Sequence, residues 1–171
     1  MTWNDTFLAL FDRCVAAYQS GDRDFANYYS PADLAFLESI GYQTREFFDF
    51  VEDFCEEGVP SISTALLVAS ARRDYFLTVQ KGKKSDQMLT RDDIPTFGDD
   101  LDGMAYLPRL IAKSRAKLRG ELDPDLMFGC GGDRRFLQNH GDIHPADFLR
   151  HVWASGDDDQ KLAAWVKQQG A

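Results

Sequence analysis

Apolar residues recur at three- and four-residue spacing through most of the chain, in short segments that end at a glycine. The first segment covers residues 2–20, and Gly21 follows where a helix would end. Its repeating apolar residues are Phe7, Leu8, Phe11, Val15 and Tyr18. This spacing places the apolar side chains on one face of an α-helix. We therefore predict an all-α fold.

Helix start signals precede the later segments. Ser30-Pro31-Ala32-Asp33 has a serine at the N-cap, a proline at the first helical position and an acid three residues after the cap. This helix is predicted to stop at Gly41. The further helices are predicted to begin near Thr44, Ser61, Met104 or Tyr106, Cys130, His144 and Gly156.

A charged stretch with several helix breakers divides the helical segments into two groups. It contains Lys83-Lys84, Asp92-Asp93, Pro95, Gly98 and Asp99-Asp100. Such a composition is typical of a linker or an ordered surface loop. We predict an N-terminal helical unit over residues 1–80, a charged linker loop over 81–103 and a C-terminal helical unit over 104–171.

The two groups of helices share a pattern of core, cap and turn residues. With the same spacing, Asp33, Phe36, Leu37 and Gly41 recur as Asp133, Phe136, Leu137 and Gly141. Any two helical hairpins of this size share some such pattern. Three aligned elements in one order nevertheless favour a true internal duplication. We predict two related helical units that pack together.

The net charge of −9 limits the classes of partner. It produces a field that repels phosphate backbones and anionic membrane surfaces. The most apolar window, residues 62–71, is too short to span a bilayer. Neither nucleic acid nor a membrane is therefore expected as a partner.

The cysteines indicate a reducing compartment. Cys14, Cys55 and Cys130 are odd in number and widely spaced, which fits neither a disulfide framework nor a zinc knuckle. Residues 1–5 lack the basic and apolar regions of a secretory signal. We expect reduced thiols in a soluble cytoplasmic protein.

Two motifs in the C-terminal half carry a resemblance to a known family. The stretch 106–118, Tyr-Leu-Pro-Arg-Leu-Ile-Ala-Lys-Ser-Arg-Ala-Lys-Leu, is followed by Asp133-Arg134-Arg135-Phe136-Leu137. Over residues 106–166 the chain resembles the uncharacterised, mainly bacterial domain-of-unknown-function family 5069. The resemblance implies a helical fold and no particular activity. The chain departs from shorter members at Cys130-Gly131-Gly132-Asp133, where they often have Cys-Pro-Leu-Asp, and in having three histidines.

The first candidate site is a basic helix predicted over residues 107–119. Arg109 and Lys113 lie one turn apart on it, no acid interrupts it, and Arg134 and Arg135 are expected to extend the positive surface. Arginine binds carboxylate and phosphate groups in bidentate geometry, so a small anionic ligand is one interpretation. The other is an interface helix whose charges pair with acids of the N-terminal unit.

The second candidate is Cys130. By the internal match it occupies the N-cap position that Ser30 holds, and a thiol at a helix N-terminus is expected to be nucleophilic. Gly131 and Gly132 leave backbone N–H groups open to an anion. An enzyme with Cys130 as nucleophile and Asp133 beside it is therefore possible. The competing interpretation is an ordinary turn with Asp133 as the capping acid.

No metal or cofactor site is predicted. His140 and His144 have helical ligand spacing, but Gly141 and Pro145 interrupt any shared helix, and neither Cys130 nor His151 completes a known ligand pattern. No phosphate-binding loop, dinucleotide fingerprint or nucleophile elbow is present.

The sequence therefore favours a non-enzymatic module that binds a partner protein or a small anionic ligand through the helix of residues 107–119. It leaves the enzymatic alternative, the identity of the ligand and the oligomeric state open.

Overall fold

The computed structural model describes all residues, 1–171, and is mostly helical, as predicted. The chain forms two compact units, an N-terminal unit of Met1–Lys83 and a C-terminal unit of Lys84–Ala171. The N-terminal unit contains α1 (Trp3–Gln19), a 3-10 turn (Phe25–Asn27), α2 (Pro31–Ser39), α3 (Thr44–Glu57) and α4 (Ile62–Thr78). The C-terminal unit contains β1 (Asp100–Leu101), β2 (Met104–Ala105), α5 (Leu107–Arg119), α6 (Gly131–Asn139), α7 (Pro145–Ser155) and α8 (Asp159–Gln169). None of these helices has both the length and the apolar character needed to cross a membrane.

The helix starts follow from local capping. The start predicted at Ser30 is confirmed: its hydroxyl accepts a hydrogen bond from the Asp33 N–H, and the Asp33 carboxylate accepts one from the Ser30 N–H. Ser61 caps α4 by accepting from the Thr64 N–H. These side chains satisfy backbone donors that have no partner inside the helix.

Aromatic side chains form the core of the N-terminal unit. Helix α1 packs on α3 and α4. The rings of Phe7 and Phe11 from α1 lie 5.0 and 5.7 Å from the ring of Phe47 in α3. All three are almost completely buried, so the apolar spacing of α1 is explained by this contact.

Aliphatic residues dominate the core of the C-terminal unit. Helix α5 packs on α7, and α7 packs on α8. The fully buried residues at these contacts are Leu107, Leu110, Phe148, Leu149, Leu162 and Val166. The core therefore fixes α5, which carries Arg109 and Lys113 of the candidate site.

The prediction of an all-α fold was wrong in one detail, because a small antiparallel hairpin precedes α5. Strands β1 and β2 pair Asp100 with Ala105 and Leu101 with Met104. Asp102 and Gly103 join them with positive φ angles of 56° and 82°. An Asp-Gly pair adopts this turn readily, since positive φ suits the twist of a two-residue hairpin. Strands of two residues are too short to show an alternating pattern.

The charged stretch before the hairpin is tied to the C-terminal unit. Ser85 Oγ donates to Glu121 Oε1 at 2.6 Å, and the Leu89 N–H donates to the Glu121 carbonyl at 2.6 Å. Further along, the Tyr106 N–H donates to the Asp99 carbonyl at 2.9 Å. These bonds hold residues 84–99 beside α5.

Candidate functional site

A buried ion pair joins α5 to α6. Lys113 Nζ lies 2.8 and 2.7 Å from Oδ1 and Oδ2 of Asp133, and the exposed fractions of the two side chains are 3% and 0%. Lys113 is therefore buried and paired with an acid of its own unit, and it does not lie on a solvated face of α5. Its charge is neutralised inside the unit because Asp133, at the third position of α6, points back at α5.

Asp133 accepts hydrogen bonds on both of its oxygens. Besides Lys113, Tyr106 Oη donates to Oδ1 at 2.7 Å and the Gly129 N–H donates to Oδ2 at 2.8 Å. A carboxylate with two bonds on each oxygen is fully satisfied in a buried position. Asp133 is thus the centre of a polar network, and its capping bond goes to Gly129 rather than to Cys130.

Tyr106 reaches Asp133 because of an unusual backbone conformation at the start of α5. It is the N-cap residue, with φ 77° and ψ −23°, a left-handed conformation that is uncommon for a side chain of this size. Burial, together with the Asp133 carboxylate and the hydrogen bond to it, raises the pKa of Tyr106 far above its usual range. Tyr106 therefore stays protonated and keeps donating to Asp133.

Cys130 is the N-cap residue of α6, as the sequence predicted. Its side chain makes no capping hydrogen bond. Instead, Sγ accepts a hydrogen bond from Lys113 Nζ at 3.3 Å, and the residue is half-buried. The ammonium group thus contacts the thiol and the Asp133 carboxylate together.

A cavity of about 550 Å³ opens beside Cys130. Three of its lining residues are cationic, namely Arg91, Arg109 and Lys113, and two are acidic, Asp92 and Asp125. The remaining lining residues are Ile94, Thr96, Phe97, Leu126, Met127 and Cys130. The cavity therefore combines positive charge, an apolar wall and one thiol.

Arg109 is held in place at this cavity by two contacts. Its Nη1 donates to the Pro95 carbonyl at 2.9 Å, and its guanidinium carbon lies 4.3 Å from the centre of the Phe97 ring. Its Nε is buried and has no hydrogen-bond partner. The guanidinium is thus oriented, with most of its donors unused.

The other predicted binding residues lie outside the cavity lining. Arg134 Nη1 donates to the Gly129 carbonyl at 2.7 Å, which fixes the turn before α6. Arg135 is exposed. The structure therefore brings Arg109, Lys113 and Cys130 together, and leaves Arg134 and Arg135 apart from them.

Sequence reasoning missed Tyr106, Arg91 and Phe97 as site residues. Arg91 and Phe97 come from the charged stretch, where no periodic pattern indicates which side chains face inward. Tyr106 stands directly before the basic helix, but its bond to Asp133 spans 27 residues and depends on the packing of α5 against α6.

The three histidines take separate local roles. His140 stacks on Phe136 with 4.0 Å between ring centres, and His151 stacks on Trp165 at 3.7 Å. His144 Nδ1 accepts from the Ala146 N–H and caps α7. The structure contains no group of three or more His, Cys, Asp and Glu residues arranged to hold a metal ion.

Comparison with known proteins identifies the family of the chain. Residues 82–171, more than half of the chain, match the model of the family described as Domain of unknown function (DUF5069). The matched region includes Tyr106, Lys113, Cys130 and Asp133 together with the whole cavity lining. No curated protein and no solved structure matches the chain. The chain belongs to the DUF5069 family.

Proposed function

We propose that the protein is a non-enzymatic module that binds a small anionic ligand in the cavity beside α5. The observation that carries this proposal is the position of Arg109, which is oriented by Pro95 and Phe97 at the wall of a cavity of about 550 Å³. A pocket of this size favours a small molecule over the protein partner that the sequence also allowed.

Arg109 has the donors that such a ligand needs. A guanidinium group carries five N–H donors, and the single bond to Pro95 occupies one of them. The stacked Phe97 ring limits the rotation of the side chain, so less entropy is lost when a carboxylate or phosphate binds in bidentate geometry. Arg109 is the principal binding residue in this proposal.

Lys113 contributes less charge than its position suggests. Asp133 neutralises the Lys113 ammonium, so this group lines the cavity without adding a full positive charge. Arg91 adds a second cation, while the lining acids Asp92 and Asp125 are exposed to solvent. Arg91 is exposed and Lys113 is neutralised, so Arg109, which is half-buried, is the cation of the lining best placed to hold an anion.

A thermal-shift measurement tests the proposal. A ligand that binds the folded state raises the Tm by mass action, so phosphate, pyrophosphate, succinate and citrate are compared at constant ionic strength. We expect at least one of these anions to stabilise the wild-type protein and the Lys161→Ala variant, and to lose its effect in Arg109→Ala. Lys161 is an exposed residue of α8 outside the cavity, so its replacement controls for charge. No stabilisation, or equal stabilisation of Arg109→Ala, would overturn the proposal.

The second candidate is an enzyme that uses Cys130 as a nucleophile on an anionic substrate. The contact between Lys113 Nζ and Cys130 Sγ favours it, because it fixes the sulfur at the lining of the cavity. Asp133 is a poor candidate for a general base, since its oxygens are fully hydrogen-bonded. Turnover of an anionic thioester or ester by the wild-type protein, lost in Cys130→Ser, would support this candidate over simple binding.

We further propose that the two units arose by internal duplication. Helices α2 and α6 have nine residues each, and each carries an aspartate at its third position. In both units a basic residue of the preceding long helix binds this aspartate: Arg13 contacts Asp33, and Lys113 contacts Asp133.

We also propose a cytoplasmic location. The three free cysteines agree with it, because thiols stay reduced in that compartment.

A further inference from the structure

Cys130 differs from the other two cysteines in its surroundings. Cys14 is 1% exposed, and burial raises its pKa to about 12. Burial also raises the pKa of Cys55. Cys130 alone lines the cavity and accepts a hydrogen bond from a cationic side chain. Cys130 is therefore the one thiol of the three that a molecule in the cavity would meet.

The Lys113 ammonium holds the Cys130 sulfur at the cavity wall. An ammonium has three donors, and here they serve the two Asp133 oxygens and the Cys130 sulfur. The bonds from Tyr106 and Gly129 hold Asp133, and Asp133 in turn holds Lys113. A donor fixed in this way keeps the Cys130 sulfur in one position at the cavity lining.

We propose that Cys130 undergoes reversible thiol–disulfide exchange with small disulfides that carry carboxylate groups, and that the resulting mixed disulfide occupies the anion cavity. The inference rests on the proposed function, because Arg109 would bind the carboxylate of the incoming disulfide. A disulfide of this class places its negative charge and its sulfur within one small molecule. The cavity provides the matching pair, a guanidinium and a thiol.

The exchange step balances without another oxidant. Cys130 loses its proton to solvent, and its sulfur attacks one sulfur of the small disulfide. A new S–S bond to Sγ forms as the old S–S bond breaks, and the other half leaves as a thiolate that takes a proton from solvent. The mixed disulfide fills the cavity and excludes other anions, so ligand binding becomes sensitive to the supply of disulfides.

The test uses the full chain and two disulfides of similar size. Dithiodipropionate is anionic and bis(hydroxyethyl) disulfide is neutral, and each rate at Cys130 is measured by mass spectrometry relative to the rate of a short cysteine peptide. We expect Cys130 to react about tenfold faster than Cys55 and to prefer the anionic disulfide. Arg109→Ala should lose that preference and keep the reaction with the neutral disulfide, whereas Lys161→Ala should behave as wild type. Arg109→Gln, which is also uncharged but keeps much of the side-chain length, serves the same purpose if Arg109→Ala does not fold.

The outcomes separate this inference from the proposed function. A Cys130 thiol that reacts no faster than Cys55, or that shows no preference for the anionic disulfide, overturns the inference. The anion-induced rise in Tm is measured in Cys130→Ser, which cannot form the mixed disulfide. If that rise persists while the exchange fails, anion binding stands alone. If anions do not raise the Tm and the exchange shows no preference for the anionic disulfide, the inference and the proposed function are both overturned.

Discussion

Lys113 and Asp133 form a bidentate ion pair, with Nζ 2.7 and 2.8 Å from the two carboxylate oxygens, in a position from which solvent is almost completely excluded. The pair connects α5 to the first turn of α6 and sets the position of Cys130 beside it. The stability of the C-terminal unit and the geometry of the cavity therefore depend on the same two residues.

Breaking this pair from one side should be costly. Asp133→Asn leaves the Lys113 ammonium buried without a counter-ion, and we expect the free energy of unfolding to fall by about 3–5 kcal/mol. Adding Lys113→Met to Asp133→Asn removes that orphaned charge and should recover part of the loss. Urea unfolding of Asp133→Asn, Lys113→Met and the double variant measures the three losses in unfolding free energy. Strictly additive losses would contradict an energetic coupling between Lys113 and Asp133.

The corresponding pair in the N-terminal unit should matter less. The Arg13 side chain is 56% exposed, so solvent screens its contact with Asp33, and Arg13→Ala should cost about 1 kcal/mol or less. Urea unfolding of Arg13→Ala beside Asp133→Asn provides the comparison. Equal losses in the two units would show that burial does not decide the strength of these pairs.

Asp33 should add an acid-dependent component to stability. Burial alone would raise the pKa of Asp33, but hydrogen bonds from Arg13 and Ser30 outweigh it and hold the pKa below its usual value. The stabilisation is thus present at neutral pH and is lost as the pH falls below about 4, through the lowered folded value. As the pH is lowered from 7, the free energy of unfolding from urea titrations should fall more steeply in wild type than in Asp33→Asn. Parallel plots of this free energy against pH would contradict a lowered pKa of Asp33.

Gly132 should tolerate a methyl group poorly, unlike its neighbour. A Cβ at Gly132 would lie 2.9 Å from Tyr106 Oη, which is tied to Asp133, whereas a Cβ at Gly131 meets nothing closer than Arg134 Nη2 at 3.9 Å. We expect Gly132→Ala to lose about 1–3 kcal/mol of unfolding free energy through this overlap, and Gly131→Ala to lose none. Urea unfolding of the two variants decides between this result and equal stability.

Tyr18 should ionise late in an alkaline titration. Its hydrogen bond to Glu56, with burial as the second cause, raises the pKa of Tyr18 to about 12. The stabilisation is complete below about pH 10, where the unfolded tyrosine ionises, and is lost as the pH rises towards 12. The tyrosinate absorbance of wild type minus that of Tyr18→Phe should rise near pH 12. A midpoint near 10 would contradict the bond to Glu56.

Local features of the fold could be predicted from the sequence because their causes are local. The Ser30 cap and its partner Asp33 lie three residues apart, so four consecutive residues are enough to predict the start of α2. The hairpin at Asp102-Gly103 carried a turn signal, but its strands of two residues gave no periodicity to support it.

The candidate site could be predicted only in part because tertiary packing assembles it. Arg109, Lys113 and Cys130 were identified from residue type and spacing. The ion pair between Lys113 and Asp133 joins residues 20 positions apart, so the neutralisation of Lys113 was not visible in the sequence. Phe97, 69% exposed and stacked with Arg109, comes from a stretch whose conformation depends on bonds to α5 and its neighbours.

The most direct test of an anion site at Arg109 is the protection of Cys130 from alkylation. Cys130 lines the cavity, so a bound anion should block access to its thiol while Cys55 remains unaffected. The measurement is the rate of carbamidomethylation of each cysteine by iodoacetamide, with and without the anion that raises the Tm most. The predicted result is a lower rate at Cys130 alone, in wild type and Lys161→Ala but not in Arg109→Ala. An unchanged rate at Cys130 under saturating anion would contradict binding in this cavity.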